Sequence, residues 1–204
     1  MMFRLLTACL LLMPLALSAH AADRPNIVYI MADDLGYTDL GCYGSDYYHT
    51  PNLDRLATQS MVFTDGYANC ANCAPTRAAL MSGMYAPRTG VYTVGNPDRG
   101  KSKDRALIPS PNTTELAPQV FTLAEVLKAA GYTTAHIGKW HLGSGATGPE
   151  NQGFDINIAG TPSGGTRSFF SPYNNASLPD GPKGEYLTDR LTREAAAFIE
   201  AQAD

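Results

Sequence analysis

Three short stretches hold residues whose types and spacing suit chemistry. The first is Cys73-Ala74-Pro75-Thr76-Arg77-Ala78-Ala79-Leu80-Met81-Ser82-Gly83. With a helix starting near Pro75, Cys73 lies at its N-terminus, where free amides and the dipole favour an anion. Arg77, four residues on, stands one turn above on the same face. A nucleophile, an anion-tolerant helix end and a guanidinium fork then meet at one point. A buried cysteine beside a surface arginine is the plainer alternative. Cys70-Ala71-Asn72-Cys73 is also a C-x-x-C, which admits a redox pair or half a zinc site. No second C-x-x-C or H-x-x-x-H completes zinc, and no thioredoxin-like pattern follows. The second stretch is Asp33-Asp34, directly after an apolar run. Two adjacent carboxylates suit a hard cation such as Ca²⁺ or Mg²⁺, or else a solvated turn. The third is Gly131-Tyr132-Thr133-Thr134-Ala135-His136-Ile137-Gly138-Lys139-Trp140-His141. An extended backbone sends Lys139 and His141 to one side, where a cation and an imidazole can hold an oxyanion and move its proton. Ordinary loop polarity would account for the pair as well. His136, inside the strand, reads as a structural or substrate-edge residue.

These residues need elements to place them. Asn26 to Met31 is a continuous β-branched and apolar run, as in a parallel strand buried on both faces. It delivers Asp33-Asp34 beyond a strand's carboxyl end, where open α/β sheets form their sites. Thr50 and Pro51 start a helix to Ser60, and Met61 to Phe63 is strand-like. Gly83 to Pro118 lacks periodicity and reads as a long surface loop of the kind that is usually functional. Thr122, Leu123, Val126, Leu127 and Ala130 form an amphipathic helix closed by Gly131, and Tyr132 to Ile137 is the next strand. Gly143 to Pro182 is again loop. Tyr186 to Ala203 is a helix with Leu187, Leu191, Ala195, Phe198 and Ile199 on one stripe. The strand and helix order makes the class α/β. The last helix has nothing visible to cover its stripe, so the chain reads as cut short before its next strand.

The whole sequence has 204 residues, room for one domain or little more. Met1 to Arg4 is a basic start, Leu5 to Leu17 is apolar apart from Thr7, and Ala19-His20-Ala21 offers a cleavage site. Residues 1–21 therefore read as a secretory signal peptide and residues 22–204 as the exported, periplasmic or extracellular portion. Without Arg4 there are 14 basic residues against 19 acidic, a net charge of −5. That excludes a nucleic-acid binder held by phosphate contacts. The 44% hydrophobic and 17% charged content excludes disorder. After residue 21 no apolar run approaches the length of a membrane span. Cys42, Cys70 and Cys73 are an odd number for an oxidising compartment, so one is expected to be chemically employed.

Taken together the three stretches resemble the sulfatase family of the alkaline-phosphatase-like superfamily. The matching blocks are Pro25 to Gly36, Asp39-Leu40-Gly41-Cys42-Tyr43-Gly44, Thr50-Pro51-Asn52-Leu53-Asp54-Arg55-Leu56, the Cys73 block, the Gly131 block and Gln152-Gly153-Phe154-Asp155. The resemblance implies a central, mostly parallel sheet flanked by helices and the hydrolysis of a sulfuric ester, in a sulfated small molecule or saccharide. It implies that a formylglycine-generating enzyme converts Cys73 to formylglycine, whose hydrate attacks sulfur. It further implies Asp33, Asp34 and the formylglycine oxygen as Ca²⁺ ligands, Arg77 steadying the hydrate, and Lys139 and His141 contacting sulfate and the hydrate. Ser163 is a further substrate contact on this view. Family members continue further, with an Asp-Asn pair that completes the calcium site and a later Lys and His. A phosphonate monoester or phosphodiester hydrolase of the same superfamily is the alternative enzyme, and a non-catalytic carbohydrate-binding relic is the alternative outside catalysis.

Overall fold

A parallel strand buried on both faces needs ladder partners and covering layers, and Asn26 to Met31 gains neither. In the computed structural model, which describes residues 24–203, this run is irregular, with Ile30 83% exposed. The expected strand is corrected on that ground: its apolar content is a demand for partners, and the run joins no ladder among the described residues. The signal-peptide reading of residues 1–21 lies outside the described residues. Met61 to Phe63, expected as strand-like, is likewise irregular and exposed.

The chain divides into two compact units, Met1–Asp54 and Arg55–Asp204. The first is organised by Thr50 and Asp54. The Thr50 hydroxyl accepts the Gly41 N–H at 2.8 Å and donates to Asp54 at 2.9 Å, while the same carboxylate oxygen accepts the Cys42 N–H at 2.8 Å. Helix α1 (Pro51–Ala57) stops short of the expected Ser60. Thr58 and Ser60 turn their hydroxyls back onto the carbonyls of Arg55 and Leu56, each at 2.7 Å.

In the second unit α2 (Cys73–Ser82) begins at Cys73, two residues before Pro75, and ends at Gly83 in the left-handed region. The long loop that follows holds the short helix α3 (Ala86–Thr89) and one 3₁₀ turn, Ser102–Asp104. Asn112 ties it together, accepting the amides of Tyr92 and Thr93 and donating to the carbonyls of Thr93 and Gly95. Helix α4 (Leu123–Ala129) has a full capping box: Thr122 accepts the Glu125 N–H at 3.2 Å and Glu125 accepts the Thr122 N–H at 2.7 Å. Gly131, at φ +87°, closes it as expected.

Strand β1 (Ala135–Ile137) is shorter than Tyr132 to Ile137. It pairs in parallel with β2 (Ile156–Ile158), His136 opposite Asn157. β2 lies in what the sequence suggests is loop, a correction that follows from its three-residue length. Helix α5 (Leu187–Ala201) ends the described chain. Among the described residues the fold combines α-helices with one two-stranded parallel sheet. One core packs Ala74, Ala78 and Met81 of α2 with Val91, Leu116, Ala124, Trp140 and Leu142. A second packs Ala159, Tyr173, Leu178 and Leu187, with Leu191 against it.

Candidate active site

The site is built from the first turn of α2 and the chain leaving β1. Ala74, Ala78 and Met81 bury one face of α2, leaving Cys73 and Arg77 half-buried at the edge of that core. Residues 61–69, 71 and 72 are all exposed, so Cys70 and Cys73 are the two positions of that stretch turned inward. The Thr76 hydroxyl donates to the Cys70 carbonyl at 2.7 Å and folds the approach segment against the first turn. Asn72, the N-cap residue, does not cap the helix with its side chain but donates to the Thr93 hydroxyl at 3.2 Å. Pro75 has no N–H to satisfy. The amide-rich end therefore faces the cysteine without a side-chain cap from Asn72, the environment an anion favours.

The guanidinium of Arg77 donates to the carbonyl oxygen of Lys139, 62 residues away in sequence. That bond joins the two stretches that the sequence marks for chemistry. Trp140 and Leu142 enter the α2 core, and the Trp140 indole N–H donates to Thr147 at 2.9 Å. Lys139 and His141 alternate with them and stay half-buried. Anchoring every second residue holds the pair between them.

His136 has a different place. Its ring packs on Trp140 and Phe154, with centroids 5.2 Å from each. Burial lowers its pKa to about 4, with the Arg77 charge acting in the same direction and the Gly138 carbonyl opposing. His136 is a neutral, structural imidazole behind the site, one of the two roles its sequence position suggests.

Gln152-Gly153-Phe154-Asp155 acts as a brace. Gln152 donates to Leu116 from full burial, and Gly153 touches the start of α4, where a Cβ would lie 2.4 Å from the Glu125 nitrogen. Asp155 accepts from the Thr134 N–H at 2.9 Å and pairs with Lys128 at 2.6 Å. Those bonds, the Lys128 hydrogen bond foremost, lower its pKa to about 2. The loop Thr161 to Gly165 was not legible as part of the site beyond Ser163. Its Thr161 carbonyl accepts the His141 N–H at 3.0 Å, and Gly164 lies against the His141 imidazole. The repeated glycines are the signal that could have found it. Ser163 is exposed in this loop, and its hydroxyl donates to the Gly165 carbonyl at 2.8 Å.

Asp33 and Asp34 belong to the first unit and are exposed, Asp34 at φ +58°. Ca²⁺ takes six or more oxygens, and among the described residues no group of three or more His, Cys, Asp or Glu could hold a metal. The two carboxylates do not make a calcium site by themselves.

Comparison with known proteins decides the family. The sequence pattern described as Sulfatase matches residues 25–204. The chain belongs to the sulfatase family. This sulfatase chain is 46% identical to arylsulfatase A of Homo sapiens over 147 residues, 71% of this chain and 27% of that protein. It is 39% identical to N-acetylgalactosamine-6-sulfatase of Mus musculus over 209 residues, 91% of this chain and 38% of that protein. The crystal structure of Ps i-CgsB superposes with a TM-score of 0.65 at 30% identity, covering 85% of this chain and 40% of that one. The same protein in complex with k-i-k-neocarrahexaose gives 0.64 at 29% identity, covering 84% and 40%. The sulfatase chain thus spans roughly a third of the curated relatives it matches.

Proposed function

We propose that this chain is the N-terminal, nucleophile-bearing portion of an exported sulfuric ester hydrolase that acts on a sulfated saccharide or an aryl sulfate. Its two strands would belong to a larger, mostly parallel sheet flanked by helices. The observation that carries the reading is the Arg77–Lys139 bond, which brings the Cys73 helix end and the Lys139–His141 segment into one constellation. The named relatives support sulfate esters as the substrate class, and the neocarrahexaose complex supports a saccharide.

Cys73, the residue with Pro two and Arg four positions on, is the one we assign to conversion by a formylglycine-generating enzyme. When formed, the hydrated aldehyde supplies an oxygen nucleophile for covalent catalysis. Arg77 places positive charge one turn above it and draws Lys139 alongside. Lys139 offers its ammonium to the sulfuryl oxygens, which gain charge as the ester bond breaks. His141 hydrogen-bonds a hydroxyl of the hydrate from the same segment, and Ser163 contacts the substrate from the facing loop. Asp33 and Asp34 would contribute two ligands toward a Ca²⁺ ion, with Mg²⁺ the second choice.

The test is sulfate release from an aryl sulfate and from a sulfated oligosaccharide, against the matching phosphate esters. The chain is assayed joined to a C-terminal portion like that of its relatives and coexpressed with a maturation enzyme. Sulfate release that Cys73→Ala abolishes is expected. Preferential phosphate release would assign the phosphodiesterase branch instead, and binding without turnover a non-catalytic protein.

A further inference from the structure

We propose that Gly164 is a positioning residue for His141, its missing side chain being the seat into which the imidazole fits. The backbone of His141 sits at φ +63°, a region a side-chain-bearing residue rarely adopts, and its N–H is held by the Thr161 carbonyl at 3.0 Å. The hydrogen bond ties the His141 backbone to the loop Thr161 to Gly165. Its Nδ1 is buried, although the residue as a whole is half-buried. A Cβ added at Gly164 would lie 2.5 Å from Cε1, 2.6 Å from Nε2 and 3.1 Å from Nδ1 of that ring. Nothing but the imidazole comes so near. The backbone of Gly164 is outside the left-handed region, so the close contact with the ring, rather than backbone strain, opposes a side chain there.

The neighbouring residues sharpen the assignment. A Cβ at Gly165 would meet nothing within 4 Å. Ser163 closes a tight turn across position 164, donating to the Gly165 carbonyl at 2.8 Å and accepting the Gly165 N–H at 3.3 Å. Gly164 is the apex of that turn, pressed on the imidazole. With the His141 N–H held by the same loop, a methyl group at 164 is relieved chiefly by turning the ring away from its seat.

The geometric claim stands by itself, and its catalytic consequence rests on the role given to His141 above. A cycle of Gly164→Ala and His141→Ala tests it in the chain joined to a C-terminal portion like that of its relatives, with Gly165→Ala as the control. Gly164→Ala is expected to lower Tm by several degrees, on the order of 4 °C. Gly165→Ala leaves Tm in place, and the cost of Gly164→Ala disappears once His141→Ala has removed the ring. The His141 imidazole resonance moves in Gly164→Ala and not in Gly165→Ala. If Gly164→Ala alone fails to fold, the double variant is expected to fold. An unshifted resonance with unchanged Tm, or a Gly164→Ala cost that persists in the His141→Ala background, overturns the proposal. In matured, active protein kcat should fall by about tenfold or more, with KM little changed. A displaced ring with unchanged kcat would leave the seat intact and overturn the role of His141.

Discussion

At the scale of single residues, the separation of Cys73 from Cys70 is the sharpest point. Both turn inward, yet only Cys73 lies on α2, four residues below an arginine that reaches Lys139. Cys70→Ser is therefore expected to keep most of the sulfate release of the matured protein, whereas Cys73→Ala abolishes it. Equal losses from the two would favour a working cysteine pair. His136 makes a second prediction, on stability. Its pKa is lowered to about 4 in the folded state from 6.5. Between those values the unfolded chain takes up a proton that the folded chain refuses, so stability falls as pH drops from 6.5 through 4. Denaturant midpoints measured across that window should decline, and His136→Gln should flatten the decline. The residue types of the site were legible because they bear charge or nucleophiles at helical and extended spacings. Gly164 was not, because adjacent glycines mark a tight turn without saying which side chain it touches.

At the scale of elements, local signals proved sufficient where the chain satisfies itself. Thr122 and Glu125 cap α4 reciprocally and Gly131 ends it, so that helix could be read from its own residues. Thr122→Ala is expected to cost about 1 kcal/mol by denaturant titration. Gly153→Ala should cost more, because its Cβ would meet the Glu125 nitrogen at 2.4 Å from a backbone at φ +100°. Strands were less legible, since a strand is a property of pairs. Asn26 to Met31 has every compositional mark and no ladder, while Ile156–Ile158 has little mark and a parallel partner in β1. The braces at Gln152 and Asp155 stayed hidden for the same reason, being bonds to residues about twenty or more positions away.

At the scale of the molecule, the apolar surface and the calcium-ligand count among the described residues point the same way. Ile27, Val28 and Ile30 in the first unit are more than half exposed, as are Leu56 and Phe63 in the second. Along α5 the stripe is covered at Leu187, half-covered at Leu191, Ala195 and Phe198, and open at Ile199. Large exposed apolar patches drive association, so residues 22–204 alone should elute as aggregates in size-exclusion chromatography. That piece should also hydrolyse no sulfate ester even with residue 73 converted, since two carboxylates cannot complete a Ca²⁺ shell. Calcium-dependent release above a Cys73→Ala control would contradict this. The central claim, that Cys73 is the precursor of the nucleophile, is tested most directly by peptide mass spectrometry of protein made with a formylglycine-generating enzyme. An aldehyde at position 73 and unmodified thiols at 42 and 70 are expected. An intact thiol at 73, or a Cys70–Cys73 disulfide in its place, would contradict it.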